Sequence, residues 1–151
     1  MEIVRGGWFM KKTGGSTYEC VLHHGNGTSI GASSYWFGVD NSDHLCATIG
    51  SSIVGWDAGN TTTVVTYNEW YNLVASWDGS IVTVYINGIY NKQYNLETYT
   101  NLTTSTRIGS SGDATGYQFG GEVGEVWIYN KSLSSTEVLQ NYNASKNRFG
   151  I

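Results

Sequence analysis

The segment from Trp70 to Tyr94 constrains the fold of this chain more than any other stretch. Tyr71, Leu73, Ala75 and Trp77 place an apolar or aromatic side chain at every second position, and Val82, Val84 and Ile86 do the same further on. A period of two marks a strand with one face on a core, because successive side chains of an extended chain point to opposite faces. Asp78-Gly79-Ser80 supplies a turn between the two runs, and Asn87-Gly88, flanked by Ile86 and Ile89, supplies the next. Asn-Gly is favoured in two-residue type I′ hairpins, whose central residues both need positive φ. Three consecutive strands are thereby predicted as an antiparallel meander.

The rest of the chain continues in the same manner, as short strands separated by Gly, Asn, Ser and Asp turns, with no internal repeat and no linker-like stretch. All 151 residues read as one domain. Predicted strands are 7–12, 17–23, 34–40, 44–50, 61–67, 70–77, 82–87, 89–94, 106–109 and 122–129. The composition agrees: charged residues are only 13% against 14% aromatic, so the polar surface rests on Ser, Thr and Asn, as in a β-protein. Within 122–129 the alternation changes phase, since Val123 falls in step with Glu125 and Trp127 while Val126 and Ile128 take the other phase. A bulge near Gly124 reconciles them. After it comes the one helix signal: Ser134 and Glu137 have capping-box spacing, with Leu133 and Val138 placed as a hydrophobic staple. A helix over 135–142 is predicted, seated on the sandwich through Val138, Leu139 and Tyr142.

Several function classes drop out. The formal charge is -4 and the eight Lys and Arg are scattered, which gives no basic surface for nucleic acid. No apolar run approaches the roughly 20 residues a membrane helix needs, so no membrane insertion is expected. The stretch 1–12 lacks the basic start and apolar stretch of a secretory signal, so an exported form is expected to travel in a longer precursor or on a virus particle. Cys20 and Cys46 fall on predicted strands separated by a third, roughly 9 to 10 Å apart, beyond disulfide reach. They read as free core thiols. His23, His24 and His44 lack zinc-like spacing, and no Ser-His-Asp set or phosphate-cradling glycine motif stands out. The Asn-x-Ser/Thr sequons at Asn26, Asn60, Asn101, Asn130 and Asn143 are expected by chance in a chain this rich in those residues.

A family resemblance enters with the second half. Trp70-Tyr-Asn-Leu-Val74-Ala75-Ser-Trp77-Asp78-Gly79, then Val84-Tyr85-Ile86-Asn87-Gly88, then Ile108-Gly109, resemble the laminin-G-like branch of the concanavalin-A-like lectin and glucanase superfamily. The ending Phe119 to Glu137 is similar to that family's ending, with Gly121, Val123, Glu125, Val126, Ile128, Tyr129, Asn130, Leu133, Ser134 and Glu137 in register. The tail 140–149 resembles that of such domains in phage and marine viral structural proteins. The resemblance implies an all-β fold, an antiparallel β-sandwich jelly roll with one short C-terminal helix. Relatives carry further N-terminal strands before the one that 7–12 matches. They also often have Asp where Gly124 stands, and with a structural calcium that acid can contribute. Calcium is therefore unsupported here, and no cofactor or metal is expected.

Glucanases of the superfamily place Glu, Asp and Glu at alternate strand positions, so that all three enter one cleft for two-carboxylate hydrolysis. The corresponding positions here are Glu122, Gly124 and Val126, while Glu125 points to the opposite face of a regular strand. One carboxylate remains, so the chain is not expected to be an enzyme. Trp70, Trp77 and Trp127 sit in the family's core pattern and are assigned to packing. Trp36, Trp56, Asp113 and Tyr117 lie outside those motifs, in or near Gly/Ser/Asp-rich loops, and are the candidate ligand-binding residues, with 110–117 as a binding rim. The expected function is a noncatalytic, lectin-like carbohydrate-binding or adhesion module of a phage or virus particle, extracellular or on the virion surface, with a glycan as partner. The alternative is a structural virion or protein-interaction module without sugar affinity. Without the family's N-terminal strands, an unpaired strand edge is expected, covered in a homo-oligomer by another copy or shielded by loops such as 58–62.

Overall fold

In the computed structural model, which describes residues 3–14, 17–25, 33–50, 54–111 and 117–151, the alternating segments become β1 (Ile3–Lys11), β2 (Glu19–Gly25), β3 (Ser33–Val39), β4 (His44–Ile49), β5 (Asn60–Val64), β6 (Trp70–Trp77), β7 (Ile81–Ile86), β8 (Ile89–Asn95), β9 (Thr106–Ile108) and β10 (Gly121–Tyr129). They form two five-stranded antiparallel sheets, ordered β10-β1-β6-β7-β8 and β5-β4-β3-β2-β9. Every predicted strand is present. β1 begins earlier than predicted because Val4 and Arg5 are already paired with Ser76 and Ala75 of β6 and with Tyr129 and Ile128 of β10. β5 ends earlier because the Val65 amide leaves the ladder and donates to the Asp43 carbonyl. β1 lies inside its sheet, and among the described residues the edge strands are β10, β8, β5 and β9.

The meander forms as β6, β7 and β8. Asn87 and Gly88 have φ of 51° and 78°, both positive as a type I′ turn requires. The inner faces of the two sheets meet in one core that includes Phe9, Leu22, Phe37, Leu45, Leu73 and Val84. In β10 the register steps from Trp8↔Glu125 to Phe9↔Val123, which leaves Gly124 as the extra residue of a bulge. Val123 and Val126 thereby both reach the core, while Glu122, Glu125 and Trp127 pair with Met10, Trp8 and Gly6.

The first sheet is covered on its other face as well. Helix α1 (Ser135–Ser145) starts with the predicted capping box: the Glu137 amide donates to Ser134 Oγ and the Ser134 amide to Glu137 Oε2 at 2.8 Å. The staple residues Leu133 and Val138 are buried with Val4, Val74 and Tyr85, and Ser76 Oγ exchanges hydrogen bonds with the backbone of Leu133. Trp8 has Tyr142 stacked at 5.4 Å and Phe149 at 4.5 Å, and its Nε1 donates to Ser145 Oγ at 3.0 Å. With both faces buried, β1 and β6 lose the alternation of exposure and are buried along almost their whole length. The helix extends past the predicted 142, and one residue of its expected face is corrected: Leu139 is 44% exposed, because Val138 and Tyr142 define the contact line and Leu139 lies off it.

Tyr142 presses on the hairpin turn. A Cβ added to Gly88 would come within 2.9 Å of the Tyr142 side chain, whereas Gly109, with nearly the same φ of 79°, has nothing within 4 Å. Gly88→Val is therefore expected to cost more than about 1 kcal/mol from backbone strain, and more than Gly109→Val, which carries the strain without the clash. Urea melts of the two variants check this, and equal midpoints would refute the contact between turn and helix.

Candidate functional site

The outer face of the second sheet carries the chemistry that its sequence places there. On β3, Trp36 alternates with the core residues Tyr35 and Phe37, so it points away from the core. It pairs with His23 of β2 on one side and Thr48 of β4 on the other. Cys20 and Cys46 flank Gly38 on the same two neighbouring strands. They are free, buried thiols separated by β3, as expected. Burial pushes the Cys46 thiol up to about 12 and Cys20 well above its ordinary value, so neither is a nucleophile at neutral pH.

Aromatic rings close over this face. Tyr18 meets Trp36 edge-on at 6.5 Å, and Tyr117 meets Tyr18 edge-on at 5.8 Å. Tyr117 has φ of 41°, and its carbonyl accepts the Cys20 amide at 2.9 Å. The residues after it are strapped down: the Phe119 amide donates to the Gly109 carbonyl, and the Lys12 and Thr13 amides donate to the Gly120 carbonyl.

An ion cluster braces the same strap from beneath. Lys11, with no side-chain exposure, pairs with Glu19 at 3.1 Å and with Asp43. Glu19 Oε2 accepts the Gly120 amide at 2.8 Å, and the Tyr67 hydroxyl donates to Asp43 at 2.7 Å. Burial by itself would lower the Lys11 pKa, but hydrogen bonds to Asp43 and Glu19 and their charges outweigh it and hold the ammonium above its ordinary 10.5. Burial likewise opposes the Asp43 carboxylate, yet Lys11 and Tyr67 hold it below 3.8.

The predicted ligand residues separate on this frame. Trp36 and Tyr117 are brought together through Tyr18. Trp36, however, is 1% exposed and cannot stack on a sugar; it belongs to a second, outward-facing cluster of the sheet and is not an open ring. Tyr117 is half-buried at the surface of that cluster. Trp56 opens a short 3-10 turn (Trp56–Gly59) beside β4, where Gly59 abuts the backbone of Ala47. Asp113 lies outside the described residues. Tyr18 and the Lys11 cluster were missed in the sequence, where nothing local distinguishes them from ordinary strand-end residues. Among the described residues, no three His, Cys, Asp or Glu side chains converge as a metal site.

The carboxylates of β10 need a correction. The bulge at Gly124 brings Glu125 to the same side as Glu122, whereas a regular strand would oppose them. Both are tied to cations: Glu122 to Lys12, and Glu125 to Arg148 at 3.7 Å. A Cβ at Gly124 would collide with Phe149 and approach Trp70, so the position of the family's middle acid is filled here by the aromatic C-terminal segment.

Comparison with known proteins places this geometry. The laminin G type 3 profile of the concanavalin A-like lectin/glucanases superfamily matches residues 8–139. Among solved structures, the CBM40 domain of the Ruminococcus gnavus IT-sialidase, bound to α2,3-sialyllactose, aligns with TM-score 0.71 and 15% identity over 93% of this chain and 82% of that one. Domain 4 of an extracellular arabinanase from Geobacillus stearothermophilus, in complex with arabinotriose, aligns with TM-score 0.68 and 20% identity over 92% of this chain and 65% of that one. Trypanosoma rangeli sialidase aligns with TM-score 0.68 and 16% identity over 93% of this chain, which spans only 22% of the sialidase. At these identities the likeness is one of fold. No curated protein matches the sequence significantly.

Two measurements check the electrostatics of the site. Lys11→Met leaves Glu19 and Asp43 without their counter-ion and is expected to destabilise the fold by about 3 kcal/mol or more, read from the urea midpoint at pH 7; no change would remove the cluster's role. His23 is held down at about 4 by burial and then by the charges of Arg107 and His24. Between 6.5 and about 4 the unfolded chain therefore takes up a proton that the folded chain refuses, and stability is expected to fall with pH across that window. In His23→Gln this part of the pH profile should flatten.

Proposed function

This chain belongs to the concanavalin A-like lectin/glucanases superfamily, and on that premise we propose that it is a noncatalytic carbohydrate-binding module. What carries the reading is the combination of a lectin-type sandwich with a strand β10 whose carboxylates are each engaged by a cation. A binding fold is kept while the free acid and base of a glycosidase are not. The carbohydrate-bound CBM40 and arabinanase domains, similar in fold over most of this chain, support the same reading.

On this reading Tyr117 is the sugar-facing ring with Trp36 packed beneath as support, and Trp56 and Asp113 are the further ligand-binding residues. The ligand is an extracellular glycan. A phage or virus particle is the proposed setting, supported by the resemblance of the ending 140–149. A second reading, a structural protein-contacting module without sugar affinity, is favoured by Ile108 and Ile128, both exposed on edge strands.

A glycan array followed by isothermal titration of any hit separates the two. Binding at millimolar or tighter affinity, weakened in Tyr117→Ala, is expected; a negative result across the array supports the structural module. Incubation with β-glucans should release no reducing ends, and release that disappears in Glu122→Gln would overturn the noncatalytic assignment.

A further inference from the structure

Away from the Trp36 cluster, at the flank where β1 and β10 meet the loop before β9, a hollow of about 370 Å³ is lined by Arg5, Tyr99, Asn101, Tyr129 and Asn130 among others. Arg5 shares the inner face of β1 with Ile3 and Phe9, so a guanidinium points toward the space between the sheets. Its plane lies over the Tyr35 ring at 4.9 Å. Tyr35 is fixed in turn by a hydrogen bond with Thr106 at 3.0 Å and by His24 stacked at 5.3 Å. The head is thus positioned before any ligand arrives, which lowers the ordering cost of binding.

Among the described residues, Arg5 has no counter-ion. The ion pairs among the described residues do not include it. One terminal nitrogen donates to the Val4 carbonyl at 3.1 Å and, at the long distance of 3.5 Å, to the Tyr129 carbonyl. Nε is closed off from solvent with no partner. Neutral carbonyls and the Tyr99 side chain engage part of the fork, and a half-buried guanidinium with no carboxylate among the described residues is unusual in a chain this poor in charge. A planar carboxylate is the group whose geometry matches the remaining donors. Around it, Asn101 and Asn130 are exposed amides that can both donate and accept, as sugar hydroxyls require. Tyr129, 38% exposed beside Trp127, offers a ring face to the apolar side of a sugar.

We propose that this hollow binds the carboxylate-bearing residue of an acidic glycan, a uronic or sialic acid, with Arg5 as the anion-binding group. The proposal rests on the carbohydrate-binding reading and names its ligand class. The net charge of -4 does not oppose it, since distant exposed charges are screened within about 10 Å in ordinary salt while Arg5 acts at contact.

Methyl β-glucuronide and methyl β-glucoside share one ring and differ by a carboxylate in place of a hydroxymethyl group, which makes them the test pair, with N-acetylneuraminic acid as the second acid. Amide shifts of Ile128, Tyr129 and Asn130 are followed during titration. One of the acids is expected to move them, with binding at least about tenfold weaker for the glucoside and for the acid with Arg5→Gln, the loss of a charge-assisted hydrogen bond. Arg5→Lys should fall between, because it keeps the charge but not the fork. Should Arg5→Gln fail to fold, Asn130→Ala and Tyr129→Ala at the exposed rim should weaken binding of the acid, and unchanged binding in both would overturn the site. Equal binding of glucuronide and glucoside would overturn the proposal, as would the same shifts with sodium acetate. Neutral glycan binding that Arg5→Gln leaves untouched would overturn this site and keep the module; no binding of any sugar would overturn both.

Discussion

The burial of Trp8 is the contact on which the arrangement of the rest depends. Its indole lies on the face of the first sheet that the second sheet does not cover, and Tyr142, Ser145 and Phe149 close over it from the far end of the chain. A sheet buried on both faces needs a second cover besides its partner sheet, and here that cover is the C-terminal helix and the turn after it. Two glycines are consequences of this docking. Gly88 keeps the hairpin turn flat beneath Tyr142, and Gly124 leaves room in β10 for Phe149. The first also needs its positive φ; the second serves the bulge and the close approach together.

The same docking changes the chemistry of β10. In a regular strand Glu122 and Glu125 would oppose each other, and the family resemblance implies that relatives often have Asp at the bulge position. Here the bulge aligns the two glutamates while the aromatic tail fills the place between them, and Lys12 and Arg148 engage what remains. A surface that could hold an acid-base pair is thereby spent on packing and ion pairs. The second sheet is different. Its outer face is a closed mixed cluster of Cys20, His23, Trp36 and Cys46 beneath Tyr18 and Tyr117, braced by Lys11 between Glu19 and Asp43. Polar groups reach solvent at the rim of that cluster and at the flank around Arg5.

How much of this was legible in the sequence follows the range of the interactions involved. The meander, the Asn87-Gly88 turn, the bulge at Gly124 and the Ser134 capping box were all readable, because each is set by alternation or by the dihedral and hydrogen-bonding habits of residues a few positions apart. The separation of Cys20 from Cys46 was readable too, since strand order there follows chain order. Trp36 shows where that reading stops: it was read as a candidate ligand ring, but its exposure depended on Tyr18 and Tyr117, and the latter lies some eighty residues away in sequence.

The sequence by itself therefore determined short antiparallel strands with a capped C-terminal helix, since strand period, turn chemistry and capping are local properties of the chain, and the family resemblance implied their closing into a sandwich. Only the tertiary structure decided that Trp36 is buried and not an open ring, that Glu122 and Glu125 share a face and each meet a cation, and that Arg5 is positioned with no counter-ion among the described residues. Burial and charge compensation are properties of what arrives from elsewhere in the chain, as Ser145 arrives on Trp8 across 137 residues, and no local pattern specifies that.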